Sequence, residues 1–218
     1  MAVVNNLDLA PGVASGRVQT RRPHVKLFYY PGACSLADHI ALIEAGLSYQ
    51  LVSIDREKRT EDGRDFLALN PKGYIPAIEM DDGTILTENQ VILTYIAERS
   101  GKLLPEDRML KWRTFEALAF MSCEIHGAYA PFFRDFPEPE KQRAREKIRK
   151  AFAFLADQMG DKAFLISNEI TIADCYLFWV LMVSPRSGVD LPENLQNCLD
   201  RMNAMPSVIH ALAEEGLS

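Results

Sequence analysis

Lys26-Leu-Phe-Tyr-Tyr-Pro-Gly-Ala-Cys34-Ser-Leu-Ala-Asp38 is the stretch from which the fold can be read. An apolar, aromatic run stops at a Pro31-Gly32 break. Ser35 and Asp38 then form an S-x-x-D helix start. The pattern predicts a strand that hands over to a helix, with the Cys34 thiol at the junction. Unpaired N–H groups and the positive end of the helix dipole favour a thiolate there. Cys34 is therefore expected to titrate below the usual thiol value of about 8.5. The plainer reading is a small buried hydrophobe, as many free cysteines are.

Working outward, Lys26–Tyr30 reads as a buried strand and Ser35–Ala45 as a helix closed by Gly46. Tyr49–Ile54 is a second strand, and Arg56–Leu69 is polar and then helical. Ile75–Met80 and Thr84–Thr87 flank Asp81-Asp82-Gly83, a hairpin turn. Glu88–Arg99 has a helical period. The order is βαβαββα, which implies a mixed sheet covered by helices. Past Leu103 the strand signals fade. Met109–Tyr129, Glu138–Met159, Thr171–Val183 and Leu195–Ala204 all read as helices. The fold class expected is α/β plus all-α, with a boundary near residues 101–109. The units are an extension at 1–24, a mixed α/β domain at 25–103 and a helical domain at 110–218. The extension lacks the apolar core of a signal peptide. Thr171-Ile-Ala-Asp174 is a second capping box, read as a folding device. The Glu138–Lys150 charge run reads as the solvated face of a long helix.

Composition narrows the function. The chain has 218 residues, 48% of them hydrophobic, enough for a large core. A net charge of -6 and no basic stripe interleaved with aromatics argue against nucleic acid. The longest apolar run, Tyr176 to Val183, is too short to span a membrane. Cys34, Cys123, Cys175 and Cys198 are scattered without a C-x-x-C pair, which points to a reducing cytoplasm and away from a disulfide framework or metal site. The last three fall in helices and are expected to be mostly buried.

Five motifs carry a resemblance. Tyr30-Pro-Gly-Ala-Cys-Ser-Leu36, Asn70-Pro-Lys-Gly-Tyr-Ile-Pro76, Leu86-Thr-Glu-Asn89, Glu124-Ile-His126 and Thr171-Ile-Ala-Asp174 occur in family order between residues 26 and 217. In these motifs the chain resembles the cytosolic glutathione transferases, and is most similar to their bacterial beta class. The resemblance implies a thioredoxin-like N-terminal domain, an all-helical C-terminal domain, a homodimer, and glutathione as co-substrate with no metal. It implies that Pro76 is a cis-proline and that Ile75 offers its backbone to an extended peptide. Glu88 and Asn89 would receive the γ-glutamyl group, the carboxylate at the helix start and the ammonium at Glu88; an ordinary helix cap is the plainer reading of the pair. Lys58 or Arg59 would meet the glycine carboxylate, or would be solvated loop charges. His126, otherwise a core histidine, would approach the sulfur from the helical domain.

Three departures are visible: Asn89 stands where relatives usually carry Ser, and Ala119 and Gly127 stand where some carry polar side chains. The resemblance implies conjugation of glutathione to a hydrophobic electrophile, or glutathione-dependent thiol–disulfide exchange through Cys34, with Ser35 a rival for holding the sulfur. The electrophile would lie near Phe120, Tyr129 and Phe132. The competing expectations are a ligand- or partner-binding protein without turnover, and a reductase or dehalogenase that works through a mixed disulfide.

Overall fold

The structure, a computed structural model, describes residues 24–217. The expected extension therefore lies outside the described residues, apart from His24, which opens the first strand. Strand β1 (His24–Tyr29) runs parallel to β2 (Ser48–Ser53), joined by helix α1 (Ser35–Ala45). A long loop and one turn of helix, α2 (Phe66–Leu69), lead to the hairpin of β3 (Ala77–Glu79) and β4 (Ile85–Thr87), and β3 pairs antiparallel with β1. The sheet order is β2-β1-β3-β4. Helix α3 (Asn89–Ser100) completes the expected βαβαββα order.

Alternation along β1 separates two apolar clusters. Val25 and Leu27 face a large core with α1 and α3, while Phe28 joins Val52, Ile54, Phe66 and Ala77 on the opposite face. The hairpin closes as its sequence requires. Gly83 takes φ 82° and its N–H donates to the Met80 carbonyl at 2.9 Å. Gly46 ends α1 in the left-handed region, φ 70°.

Residues 101–107 lead to the helices. These are α4 (Arg108–Phe120), α5 (Ala130–Phe133), α6 (Glu138–Met159), α7 (Ile172–Met182), α8 (Glu193–Asn203) and α9 (Pro206–Glu214). Three sequence expectations need correction. The single helix read over Met109–Tyr129 ends as an α-helix at Phe120; Met121–His126 widens into a π-helical turn and Gly127–Tyr129 tightens into a 3-10 turn. The Arg56–Leu69 segment is polar and then helical as expected, its helix being Phe66–Leu69. Ser35 and Asp38 form no capping box, because α1 starts from Cys34 without a side-chain cap, whereas Thr171 and Asp174 do form one on α7. Helix α9, which the sequence reading missed, packs on α1.

Two contacts fasten the helical domain to the loop before Cys34. Trp179 Nε1 donates to the Gly32 carbonyl at 3.2 Å, and the Gly32 N–H donates to Glu215 Oε2 at 2.9 Å. The other Glu215 oxygen lies 3.0 Å from His39 Nδ1, and both side chains are fully buried. His39 Nε2 lies 2.8 Å from Glu214, which also accepts the Tyr49 hydroxyl. Glu215→Ala deprives two partners of an acceptor, a loss of about 2–3 kcal/mol. Thermal unfolding should show a melting temperature lower by roughly 4–12 °C. Glu214→Ala, with a half-solvated carboxylate, should cost clearly less; equal losses would contradict this account.

Candidate functional site

A cavity of about 250 Å³ opens between the two domains. One wall is Ile75-Pro76, joined by the expected cis peptide bond. A second is the start of α3, with Glu88, Asn89 and Gln90. The third comes from the helical domain, with Ser122, His126 and Tyr176, and Asn70, Lys72 and Thr87 close the rim. A neighbouring groove, which shares Ile75, is lined by Tyr30, Ala33, Ile54, Asp55, Arg56 and Lys58.

The sequence candidates divide on this geometry. Ile75, Pro76, Glu88, Asn89 and His126 meet at the cavity, and Lys58 lines the adjoining groove. Arg59 lines neither; it is exposed, and its backbone N–H is held by Asp55 at 2.7 Å. Ser35 is fully buried, and its hydroxyl has no hydrogen-bond partner among the described residues. Cys34 lies just behind the wall, 7% exposed, with its thiol 3.5 Å from the Ile75 carbonyl oxygen.

That position reverses the expectation for the thiol. Burial, followed by the negative charge of Asp38, pushes Cys34 up to about 12, and the backbone N–H groups of Cys34 and Ser35 offset only part of this. The helix terminus acts in the expected direction, but desolvation wins. Asp38 is itself fully buried, and burial holds its carboxyl well above the usual carboxylate range.

Asn89 explains part of this arrangement. Its amide nitrogen donates to the Cys34 carbonyl and to Asp38 Oδ2, each at 2.8 Å. The side chain thus ties α3 to α1, and the backbone N–H groups at the start of α3 are left for an anion. Helix α3 has twelve residues, and Glu88 precedes it at φ 76°, a conformation uncommon outside glycine. The Glu88 carboxylate reaches outward to Lys72 at 2.8 Å.

His126 sits at the end of the π-helical turn, its ring tilted against Trp179 with centroids 4.6 Å apart and its Nδ1 2.6 Å from the Tyr176 hydroxyl. Burial lowers its pKa, so the neutral imidazole is favoured at neutral pH. The sequence reading missed Lys72, Ser122 and Tyr176. Lys72 was already inside the quoted Asn70–Pro76 motif. Ser122 and Tyr176 could have been suspected only from helical spacing, Ser122 being one turn before His126 and Tyr176 following Cys175 on an apolar helix. Among the described residues no group of three ligating side chains could hold a metal ion, and no helix is long and apolar enough to cross a membrane.

Two sequence profiles match the chain: glutathione S-transferase, N-terminal domain, over residues 23–98, and glutathione S-transferase, C-terminal domain, over residues 120–206. Glutathione S-transferase GstA of Escherichia coli O157:H7 is 40% identical over 200 residues, covering 88% of this chain and 100% of that protein. A sphingomonad glutathione S-transferase solved in complex with glutathione superposes with a TM-score of 0.82 at 37% identity, covering 88% of this chain and 100% of its own. The beta class glutathione S-transferase of Sphingomonas chungbukensis gives a TM-score of 0.82 at 38% identity with the same coverage.

The four cysteines should react in a definite order. Cys123 is exposed, contrary to the burial expected for it, while Cys175 and Cys198 are buried. Iodoacetamide at neutral pH should mark Cys123 first and Cys34 slowly, with the other two protected until unfolding. The thiolate is the reacting form, so the rate at Cys34 should still be climbing at about pH 10. Mass spectrometry of the labelled protein gives the order; Cys34 reacting as fast as Cys123 at neutral pH would mean that its thiol ionises readily.

Proposed function

The chain belongs to the glutathione S-transferase family, and on that premise we propose that it conjugates glutathione to hydrophobic electrophiles at the interdomain cavity. The observation that carries this reading is the meeting of an extended backbone edge at Ile75, the free N–H groups at the start of α3, and His126 across a cavity wide enough for a small peptide. The γ-glutamyl carboxylate fits the α3 terminus, with Glu88 facing its ammonium. The glycine end runs past Ile75 toward the groove of Arg56 and Lys58, which leaves Arg59 outside the site. The domain division at residues 103–110 belongs to the same proposal.

The raised pKa of Cys34 favours conjugation over covalent exchange through that residue. In this reading glutathione itself supplies the nucleophile. Its thiol loses a proton to solvent water, its sulfur bonds to the electrophilic carbon, and the leaving group departs with the bonding pair. Cys34 acts as a neutral S–H donor to the glutathione sulfur and His126 as a second donor from the opposite wall. The physiological setting proposed is removal of electrophiles in the cytoplasm, where free cysteines persist.

The test is retention on immobilised glutathione together with turnover of an activated aryl halide. Wild-type protein should do both. Cys34→Ala removes one weak hydrogen-bond donor, so conjugation should fall only about fivefold. Loss of all turnover in that variant would instead mark a covalent role for Cys34. Binding without turnover in the wild type would leave a ligand-binding protein.

A homodimer is part of the proposal. Val91 and Trp112 are 46% and 56% exposed, and with Phe115 they line an apolar groove that spans α3 and α4. Such a groove fits the core of a protein interface. Sedimentation at micromolar concentration should give a dimer, and Trp112→Glu should give a monomer. A monomeric wild type would overturn the assignment.

A further inference from the structure

We propose that Tyr176 is a positioning residue that fixes the tautomer of His126, an inference that rests on the transferase reading for its catalytic meaning but not for its geometry. The hydroxyl of Tyr176 lies 2.6 Å from His126 Nδ1. Both groups line the cavity, and both are largely withdrawn from water. Burial drives each toward its neutral form: it raises the phenol and lowers the imidazole. In a neutral pair only one of the two can donate in this bond. A phenol is the stronger acid and an imidazole nitrogen the stronger base, so Tyr176 donates and Nδ1 accepts. Ser122, one helical turn before His126, lines the same cavity. That difference in acidity directs the hydroxyl proton at His126 across the 2.6 Å contact.

The consequence falls on the other nitrogen. With Nδ1 accepting, the proton of the ring sits on Nε2. Nε2 makes no hydrogen bond to protein among the described residues, and the ring lines the cavity. Tyr176 therefore presents His126 as a donor and not as an acceptor. A donor is what a sulfur anion requires, since a thiolate facing a lone pair would be repelled. Cys34 lies behind the Ile75 wall of the cavity that His126 and Tyr176 line from the helical domain, so the pair faces the sulfur position across that cavity. The ring of Tyr176 lies parallel to Trp179, 6.1 Å between centroids, and Trp179 in turn holds Gly32. Tyr176→Phe keeps this packing and removes only the hydroxyl.

The experiment reads the tautomer directly by 15N NMR of histidine-labelled protein without substrate. The chain has four histidines, and His126→Gln assigns the signal. The wild type should show His126 with the proton on Nε2, and Tyr176→Phe should move the population toward the Nδ1-protonated form at an unchanged melting temperature. Conjugation kinetics should show kcat falling about fivefold in Tyr176→Phe, the size of one lost hydrogen bond, with KM for glutathione little altered. In a His126→Gln background the same tyrosine substitution should have no further effect. A wild-type signal from the Nδ1-protonated form, a tautomer insensitive to Tyr176→Phe, or a penalty that persists without His126 would each overturn the proposal. An inactive wild type with the Nε2 signal and its tyrosine dependence intact would remove the transferase reading and support the tautomer assignment.

Discussion

Desolvation of helix α1 is the constraint on which the sulfur site depends. The helix is enclosed by the sheet, by α3, by α7 and by α9, and most of its residues are buried. A helix that carried only leucines could be enclosed without consequence. This one brings Cys34, Ser35, Asp38 and His39 inside with it, and buried polar groups must find partners or change protonation. His39 finds Glu214 and Glu215, and Asp38 finds the Asn89 amide on one oxygen only. The Ser35 hydroxyl and the second Asp38 oxygen find none. Cys34 responds by staying protonated. The dipole at the start of α1 is real but small, and it loses to burial on nearly all sides.

The same enclosure distributes the chemistry over the two domains. The N-terminal domain supplies a backbone edge and a helix terminus, groups suited to holding a peptide. The helical domain supplies His126 and Tyr176, which face that edge. The π-helical turn at Met121–His126 matters here. An extra residue in one turn rotates the helix beyond it, and Ser122 and His126 both line the cavity from this widened stretch.

How much of this was legible varies with the range of the interaction. Local signals were read well: Gly46 ends α1, the Asp81–Gly83 turn makes the hairpin, and α6 occupies Glu138–Met159. The two S/T-x-x-D motifs show where local reading stops. Thr171 has an extended backbone and caps α7, while Ser35 already lies inside α1 and Asp38 is drawn to Asn89 on another helix. Asn89 was read as a group facing ligand; its side chain instead turns inward to a carbonyl 55 residues earlier in the chain. Helix α9 did carry a local cue, Pro206 at its first turn. Its two terminal glutamates, at the wrong end of the helix dipole, hid it; they make sense only with His39 in place.

Gly32 carries a consequence for how the molecule is made. The bonds that hold its two backbone atoms span 147 and 183 residues. Contacts of such separation form late, because the loop entropy must be overcome before they contribute. The sheet pairs only strands within residues 24–87, so it can be in place while the turn before the cysteine is still free. That turn takes its final shape only when the helical domain docks. Acquisition of the sulfur site should thus trail acquisition of secondary structure, and an assembly intermediate would hold a formed sheet around an unset loop.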